Sequence, residues 1–248
     1  MGEHFFIVGA QRCGTTYLYR ILDEHPDIEM AKPIRPEPKF FHIDPLFEKG
    51  LAFYRNHYFD NYSAARLFGE KSTTYFESEK AARRIANCFP QAKILVILRD
   101  PVERAVSNYW FSVNNGWETL PMNEAFLGEE QRQSDYDAGQ ISVSPYAYLG
   151  RGRYIDYLLM YERFFPPENV KVLLFEQLVG SQVQINLLYT YLGVTKFTPT
   201  VLHTSVNTGP RPNVPLASEL RRYLVDYFAG PNAQLEKHLN ISLKDWWQ

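Results

Sequence analysis

A chain of 248 residues, 45% of them hydrophobic, is long enough to bury a sizeable core and too apolar to be disordered. Its formal net charge of -2 argues against a protein that coats nucleic acid or an anionic membrane, so any anion site has to be local. Two cysteines, Cys13 and Cys88, are too few for a disulfide framework, and no apolar run reaches the ~20 residues of a membrane span.

The sequence opens directly into "HFFIVG", with neither a basic leader nor a small-residue cleavage site. The expectation is a cytoplasmic protein with no membrane or nucleic-acid partner and a reducing environment for its thiols. His4 to Val8 reads as a buried strand, followed by a glycine turn and a helix from about Thr15, with Leu18, Ile21 and Leu22 at helical spacing. "DEHPD" ends that helix and "DIEM" is a candidate second strand. The prolines and charges of "AKPIRPEPKFFHIDP" rule out a regular element. Next come an expected helix from Leu46 to Tyr58, a short strand near "RLFGEKS", and a helix over "SEKAARRIANCF" with Ser78 as N-cap.

"KILVIL" is the clearest strand, with five apolar residues after Lys93. "RDPVERAVSNYWF" then starts a helix with Asp100 at N-cap, Pro101 at N1 and Glu103 at N3. From Val113 to Pro145 the chain turns polar, with only a short helix expected near Met122 to Glu130. So long a stretch (113–145) reads as a lid, a substrate loop or a mobile loop. A helix over "RYIDYLLMYERFF", a strand "VKVLLF" and a helix through "INLLYTYLG" follow. The loop "HTSVNTGPRPNVP" and one or two closing helices complete the chain. Alternating strands and helices imply an α/β fold: one domain over residues 1–248, with a mainly parallel central sheet flanked by helices. Ligands of such sheets sit beyond the carboxyl ends of the strands. The glycine turn and Arg99 both fall there and are expected to face one crevice.

The turn "GAQRCGTT" matches the phosphate-loop pattern G-x-x-x-x-G-K-[ST] at Gly9, Gly14 and Thr16, but Thr15 stands where the lysine belongs. Arg12 lies three positions earlier. Backbone N–H groups at a helix N-terminus bind phosphate without a lysine. The usual lysine and hydroxyl serve β/γ-phosphates and Mg²⁺. The loop therefore suits a donor with no γ-phosphate and chemistry with no metal. A Walker-B acid is also missing, because "ILVIL" ends in Arg99 and Asp100 caps a helix. A cation at that spot repels a metal and welcomes a second anion, which suggests a ligand with two anionic ends. A chance glycine turn and a surface arginine paired with an acid are the bland alternatives.

"GAQRCGTTYL" and "LRDPVERAVSNY" resemble the 5′-phosphosulfate loop and the 3′-phosphate motif of sulfotransferases that use PAPS (3′-phosphoadenosine 5′-phosphosulfate). "RPEPKFFH", "GEKSTTYF", "GRYIDYLLMYERFFPPENVKVLLFEQL" and "NTGPRP" extend the resemblance in the order of the heparan-sulfate-type branch and its bacterial relatives, from about residue 4 to about residue 240. The resemblance implies the P-loop-like sulfotransferase fold and transfer without a metal. It places Gln11, Arg12, Cys13, Gly14, Thr15 and Thr16 around the 5′-phosphosulfate, with Arg12 stabilising charge on the bridging oxygen. Arg99 and Ser107 match the pair that holds the 3′-phosphate. Arg211 is a third phosphate contact, in a loop less basic than that of the heparan branch.

By the same resemblance Glu37 is the general base, with Lys71 in support through the sulfuryl oxygens or through Glu37. Lys32, Arg35 and Lys39 are available to keep Glu37 ionised or to guide an anionic acceptor. His42 is the rival base, although its place after Phe40 and Phe41 also suits a structural histidine. Glu70 reads equally well as a salt-bridge partner, and Tyr154 as a packed tyrosine at a helix start. The resulting function is sulfuryl transfer from PAPS to a hydroxyl or amine of a small metabolite or natural product, leaving adenosine 3′,5′-bisphosphate. A glycan acceptor is the alternative, especially if an N-terminal anchor precedes this sequence. A P-loop kinase and a non-catalytic binding module are further alternatives.

Overall fold

The apolar runs at 5–8 and 94–98 fix the centre of the molecule, because every side chain in both is wholly buried. Strands covered on both faces have that signature in parallel sheets. The structure is a computed structural model that describes residues 3–60, 66–134, 144–204 and 216–247.

In chain order the first elements are β1 (Glu3–Gly9), α1 (Thr15–Asp23), β2 (Ile28–Met30), α2 (Asp44–Phe47), α3 (Gly50–Tyr58), β3 (Leu67–Lys71), α4 (Glu79–Cys88) and β4 (Lys93–Leu98). They are followed by α5 (Pro101–Asn114), α6 (Met122–Leu127), α7 (Glu129–Ser134), α8 (Tyr154–Glu162), β5 (Val170–Leu174), α9 (Phe175–Leu178), α10 (Gln182–Leu192) and α11 (Ser218–Leu239). Single 3₁₀ turns occupy Thr73–Tyr75, Gly150–Gly152, Pro167–Asn169 and Lys244–Trp247.

The chain divides into two compact units, Met1–Leu98 with Leu159–Asn207, and Arg99–Leu158 with Thr208–Gln248. The first holds a five-stranded sheet in the order β2-β3-β1-β4-β5, with every pair parallel. The chain leaves β1 toward the β2 edge, whereas β4 and β5 lie on the opposite side. The carboxyl end of β1 is therefore a topological switch point, the place where such sheets bind ligands. Gly69 of β3 has no room for a side chain: a Cβ would come within 2.2 Å of the Phe5 ring and 2.4 Å of the Met30 sulfur. His4 belongs to this core, stacked on Phe89 with ring centroids 4.0 Å apart.

The second unit is built on α5, whose Val102, Ala105, Val106 and Tyr109 pack with Phe126, Tyr148, Leu149, Leu224 and Phe228. Within the 113–145 stretch the described part is ordered by a buried carboxylate. Glu118 accepts two bonds from Arg132, at 2.7 and 3.0 Å, and one from the Tyr148 hydroxyl at 2.7 Å. Burial pushes the Glu118 carboxyl up, but these donors outweigh it and hold the group below its usual range.

Two expected helices are each divided. The Leu46–Tyr58 helix is broken into α2 and α3 at Gly50, which opens α3 with a φ of +79° that a continuous helix would not allow. The Met122–Glu130 helix is two short ones, α6 and α7. The closing region, expected to hold one or two helices, is one helix of 22 residues with Pro231 inside it, followed by a 3₁₀ turn. Among the described residues no helix is long and apolar enough to cross a membrane.

Candidate active site

Residues 9–16 leave β1 in a tight loop. Arg12 has φ of +71° and Gly14 of +92°, and Ala10 N–H donates to the Ile97 carbonyl of β4 at 2.8 Å. Left-handed residues near a helix start turn successive amides toward one point, which is an anion-binding arrangement. Gly14 is required twice over, by its φ and because a Cβ would lie 2.5 Å from the Phe175 ring of α9. As the N-cap of α1, Gly14 offers no side-chain acceptor, and the first turn of α1 carries no acid. Its leading N–H groups have no carbonyl partner within the helix, and the positive end of the helix dipole is not neutralised by α1's own first-turn side chains. Cys13, Thr15 and Thr16 are buried, and Gln11 and Arg12 are half-buried.

Strand β3 delivers the second group to the same end of the sheet. Ile7 of β1 pairs with Lys71, and Ser72 N–H and Phe76 N–H donate to the carbonyls of Ile7 and Val8. Lys71 Nζ lies 2.7 Å from Glu37 Oε1, in an ion pair whose lysine side chain is only 3% exposed. Thr73 donates its amide to Glu37 Oε2 at 2.8 Å and its hydroxyl to Oε2 at 2.9 Å. Glu37 and Lys71 are thus brought together, and Thr73 joins them. Nothing in "KSTTY" distinguishes Thr73 from the threonine beside it, so its part in the site is not legible from the chain alone.

Glu70 is not a salt-bridge partner in the described contacts. It accepts hydroxyl bonds from Tyr54 at 2.8 Å, Ser72 at 2.7 Å and Tyr75 at 2.6 Å. Burial pushes its carboxyl up to about 7, against the pull of those three donors. Two of the hydroxyls also accept from the proline-rich loop, Ser72 from Lys39 N–H at 2.9 Å and Tyr75 from Phe41 N–H at 3.0 Å. The segment that carries Glu37 is therefore fastened to the 70–76 segment at three points.

His42 is bonded elsewhere: its Nδ1 is 3.0 Å from the hydroxyl of Ser78, the cap of α4. Lys32 pairs with Asp23, and the cation paired with Glu37 is Lys71 of β3.

In the second unit, Arg99, Glu103 and Ser107 follow one another at four-residue spacing, which places Glu103 and Ser107 on one face of α5. Asp100 caps α5 by accepting Val102 N–H at 2.8 Å. Glu103 pairs with Arg99 at 3.5 Å and with Arg221 at 3.4 Å. Tyr154 is buried and donates to the Arg99 carbonyl at 2.8 Å, fixing the backbone from which that guanidinium projects. Arg211 lies outside the described residues. Among those described, no three of His, Cys, Asp and Glu gather as a metal site.

A sequence model for the "Sulfotransferase domain" matches residues 2–208. The bifunctional heparan sulfate N-deacetylase/N-sulfotransferase 2 of Bos taurus is 30% identical over 199 residues, 78% of this chain and 22% of that protein. The heparan sulfate glucosamine 3-O-sulfotransferase 6 of Mus musculus is 27% identical over 191 residues, 77% of this chain and 52% of that protein. The chain thus spans about a fifth to a half of the length of these curated relatives. A crystal structure of a sulfotransferase from Alicyclobacillus acidocaldarius superposes with a TM-score of 0.81 at 30% identity, covering 100% of both chains. A mouse sulfotransferase complexed with PAP superposes at 0.58 with 16% identity over 92% of this chain and 84% of that one, a likeness of fold alone.

Proposed function

Because this chain belongs to the sulfotransferase domain family, we propose that it moves the sulfuryl group of PAPS by in-line displacement to a hydroxyl or amine, leaving adenosine 3′,5′-bisphosphate (PAP). The observation that carries this reading is an anion-cradling loop without a lysine after β1, together with the Glu37 carboxylate held by Lys71 and Thr73 at the same end of the sheet. PAPS supplies a sulfuryl group already activated by its bond to phosphate, so the protein has to bind charge, orient the reactants and take one proton.

The residues fit that donor. The amides at the start of α1 suit a phosphosulfate, since no capping side chain and no first-turn acid compete for them. Gln11, Cys13, Gly14, Thr15 and Thr16 form that cradle. Arg12 offsets the negative charge that grows on the bridging oxygen as the S–O bond breaks, its electron pair passing to the phosphate. Glu37 takes the acceptor's proton while the acceptor lone pair forms the new bond to sulfur. Lys71 keeps Glu37 in place and lends charge to the sulfuryl oxygens. Arg99 and Ser107 hold the 3′-phosphate, and Arg211 adds a contact to it.

The acceptor is a hydroxyl or amine of a small metabolite or natural product. A glycan is the second reading, favoured by relatives whose names specify heparan sulfate. The test is transfer from [³⁵S]PAPS in EDTA to two panels, small alcohols and amines on one side and N-unsubstituted glucosamine polysaccharide on the other. Label in either panel supports the reading and chooses the acceptor class. A folded protein that transfers nothing and releases no PAP would overturn it.

A further inference from the structure

A general base needs an open lone pair on one oxygen, and the bonds around Glu37 distinguish its two. Each carboxylate oxygen accepts about two hydrogen bonds. Oε2 has both, from the amide and the hydroxyl of Thr73 at 2.8 and 2.9 Å. Oε1 has one close donor, Lys71 Nζ at 2.7 Å, with the Thr73 hydroxyl farther off at 3.2 Å.

We infer that Thr73 is a positioning residue for sulfuryl transfer: by filling Oε2 it fixes the plane of the Glu37 carboxylate and leaves Oε1 to receive the acceptor's proton. This rests on the reading of Glu37 as the base. Both partners stand on fastened backbone. Thr73 opens the 3₁₀ turn held to β1 by Ser72 N–H and Phe76 N–H, and the Tyr161 hydroxyl donates to the Tyr75 carbonyl at 2.8 Å. The Glu37 loop is tied at Lys39 and Phe41 to hydroxyls that donate to Glu70. Supports of this kind hold a reacting atom within a fraction of an ångström.

The choice of oxygen has a consequence for Lys71. As the acceptor O–H or N–H bond breaks and its proton settles on Oε1, that oxygen loses its negative charge. The ammonium of Lys71 is then released from its ion pair at the moment negative charge appears on the departing phosphate and the sulfuryl oxygens. Base and cation are thereby coupled through one atom.

Thr73→Val removes the hydroxyl and keeps the amide and the shape, Thr73→Ser restores the hydroxyl, and Thr73→Ala serves if the valine variant does not fold. Turnover is read as PAP released from PAPS, with water and with the acceptor panels. Hydrogen exchange of the amide at position 73 is read by NMR, and PAP affinity is checked by titration. In Thr73→Val, kcat is expected to fall by roughly 10–100-fold, the cost of a misplaced reacting group. KM for PAPS and affinity for PAP stay native, amide exchange at position 73 quickens, and Thr73→Ser restores both rate and protection. Native kcat and native exchange in Thr73→Val and Thr73→Ala, or no rescue by serine, would overturn the inference. If Glu37→Gln turns over like the native chain, the base reading fails instead. If Glu37→Gln is inactive and Thr73→Val is native, only the role of Thr73 fails.

Discussion

Glu37 is 16% exposed with three donors around it, and Glu70, thirty-three positions later and wholly buried, accepts three hydroxyls. Their environments fit different work: the first can meet an acceptor and the second cannot. Glu37→Gln is expected to cut turnover by roughly 10²–10⁴-fold, the usual weight of a general base, while PAP titration gives near-native affinity. Equal losses of rate and affinity would contradict the assignment.

Glu70 makes a separate prediction about stability. Its carboxyl is raised from 4.5 to about 7 by burial, so between those values the folded chain holds a proton that the unfolded chain has released. Stability from this group is full below about 4.5 and declines as pH rises toward 7. The whole shift corresponds to about 3 kcal/mol. Thermal melts across that window should show the native chain losing stability relative to Glu70→Gln as pH rises. Parallel curves would contradict it. A fold that keeps a group costing it stability at neutral pH gains a fixed anchor for the Glu37 loop.

At the scale of elements, the glycine loop depends on the fit between α1 and α9. Gly14→Ala places a methyl where φ is +92° and the Phe175 ring is 2.5 Å away. The left-handed backbone alone costs about 1–2 kcal/mol. Thermal unfolding should shift downward and PAP affinity should fall; an unchanged titration would mean the loop is not the anion site. Asp100→Ala, by contrast, removes one cap bond and should cost about 1 kcal/mol by denaturant unfolding, with no effect on Glu37-dependent chemistry. An unshifted midpoint would contradict the cap.

Much of this level was legible beforehand. Continuous apolar runs marked β1 and β4, and the caps Ser78 and Asp100 announced themselves because a short polar side chain before an apolar-periodic stretch has few other uses. The break at Gly50 was missed because the residues on both sides suit helix, and one backbone angle decides it. Phe175 ends the apolar run "VKVLLF" in the sequence, yet it opens α9 and its ring leaves Gly14 no room for a Cβ. Glu70 and Thr73 were illegible for a common reason. Their roles come from Tyr54 of α3 and from Glu37 of the proline-rich loop meeting the 70–76 segment, and no local pattern records that.

At the scale of the whole molecule, the proposed donor has two anionic ends, a phosphosulfate assigned to residues 9–16 and a 3′-phosphate assigned to Arg99 and Ser107. Arg99 already shares Glu103 with Arg221, at 3.5 and 3.4 Å, so a phosphate has to compete with a carboxylate for it. Arg99→Ala should therefore weaken donor binding more than it slows turnover at saturating PAPS. A loss confined to kcat would contradict that role.

The most direct test is calorimetric titration of the native chain with PAP, adenosine 5′-monophosphate and adenosine 3′-monophosphate. A charge-assisted contact is worth about 1.5–3 kcal/mol, so PAP should bind at least roughly tenfold more tightly than either monophosphate, and Arg99→Ala should erase its advantage over the 5′-monophosphate. A folded protein that binds PAP no better than the monophosphates would contradict the account at its centre.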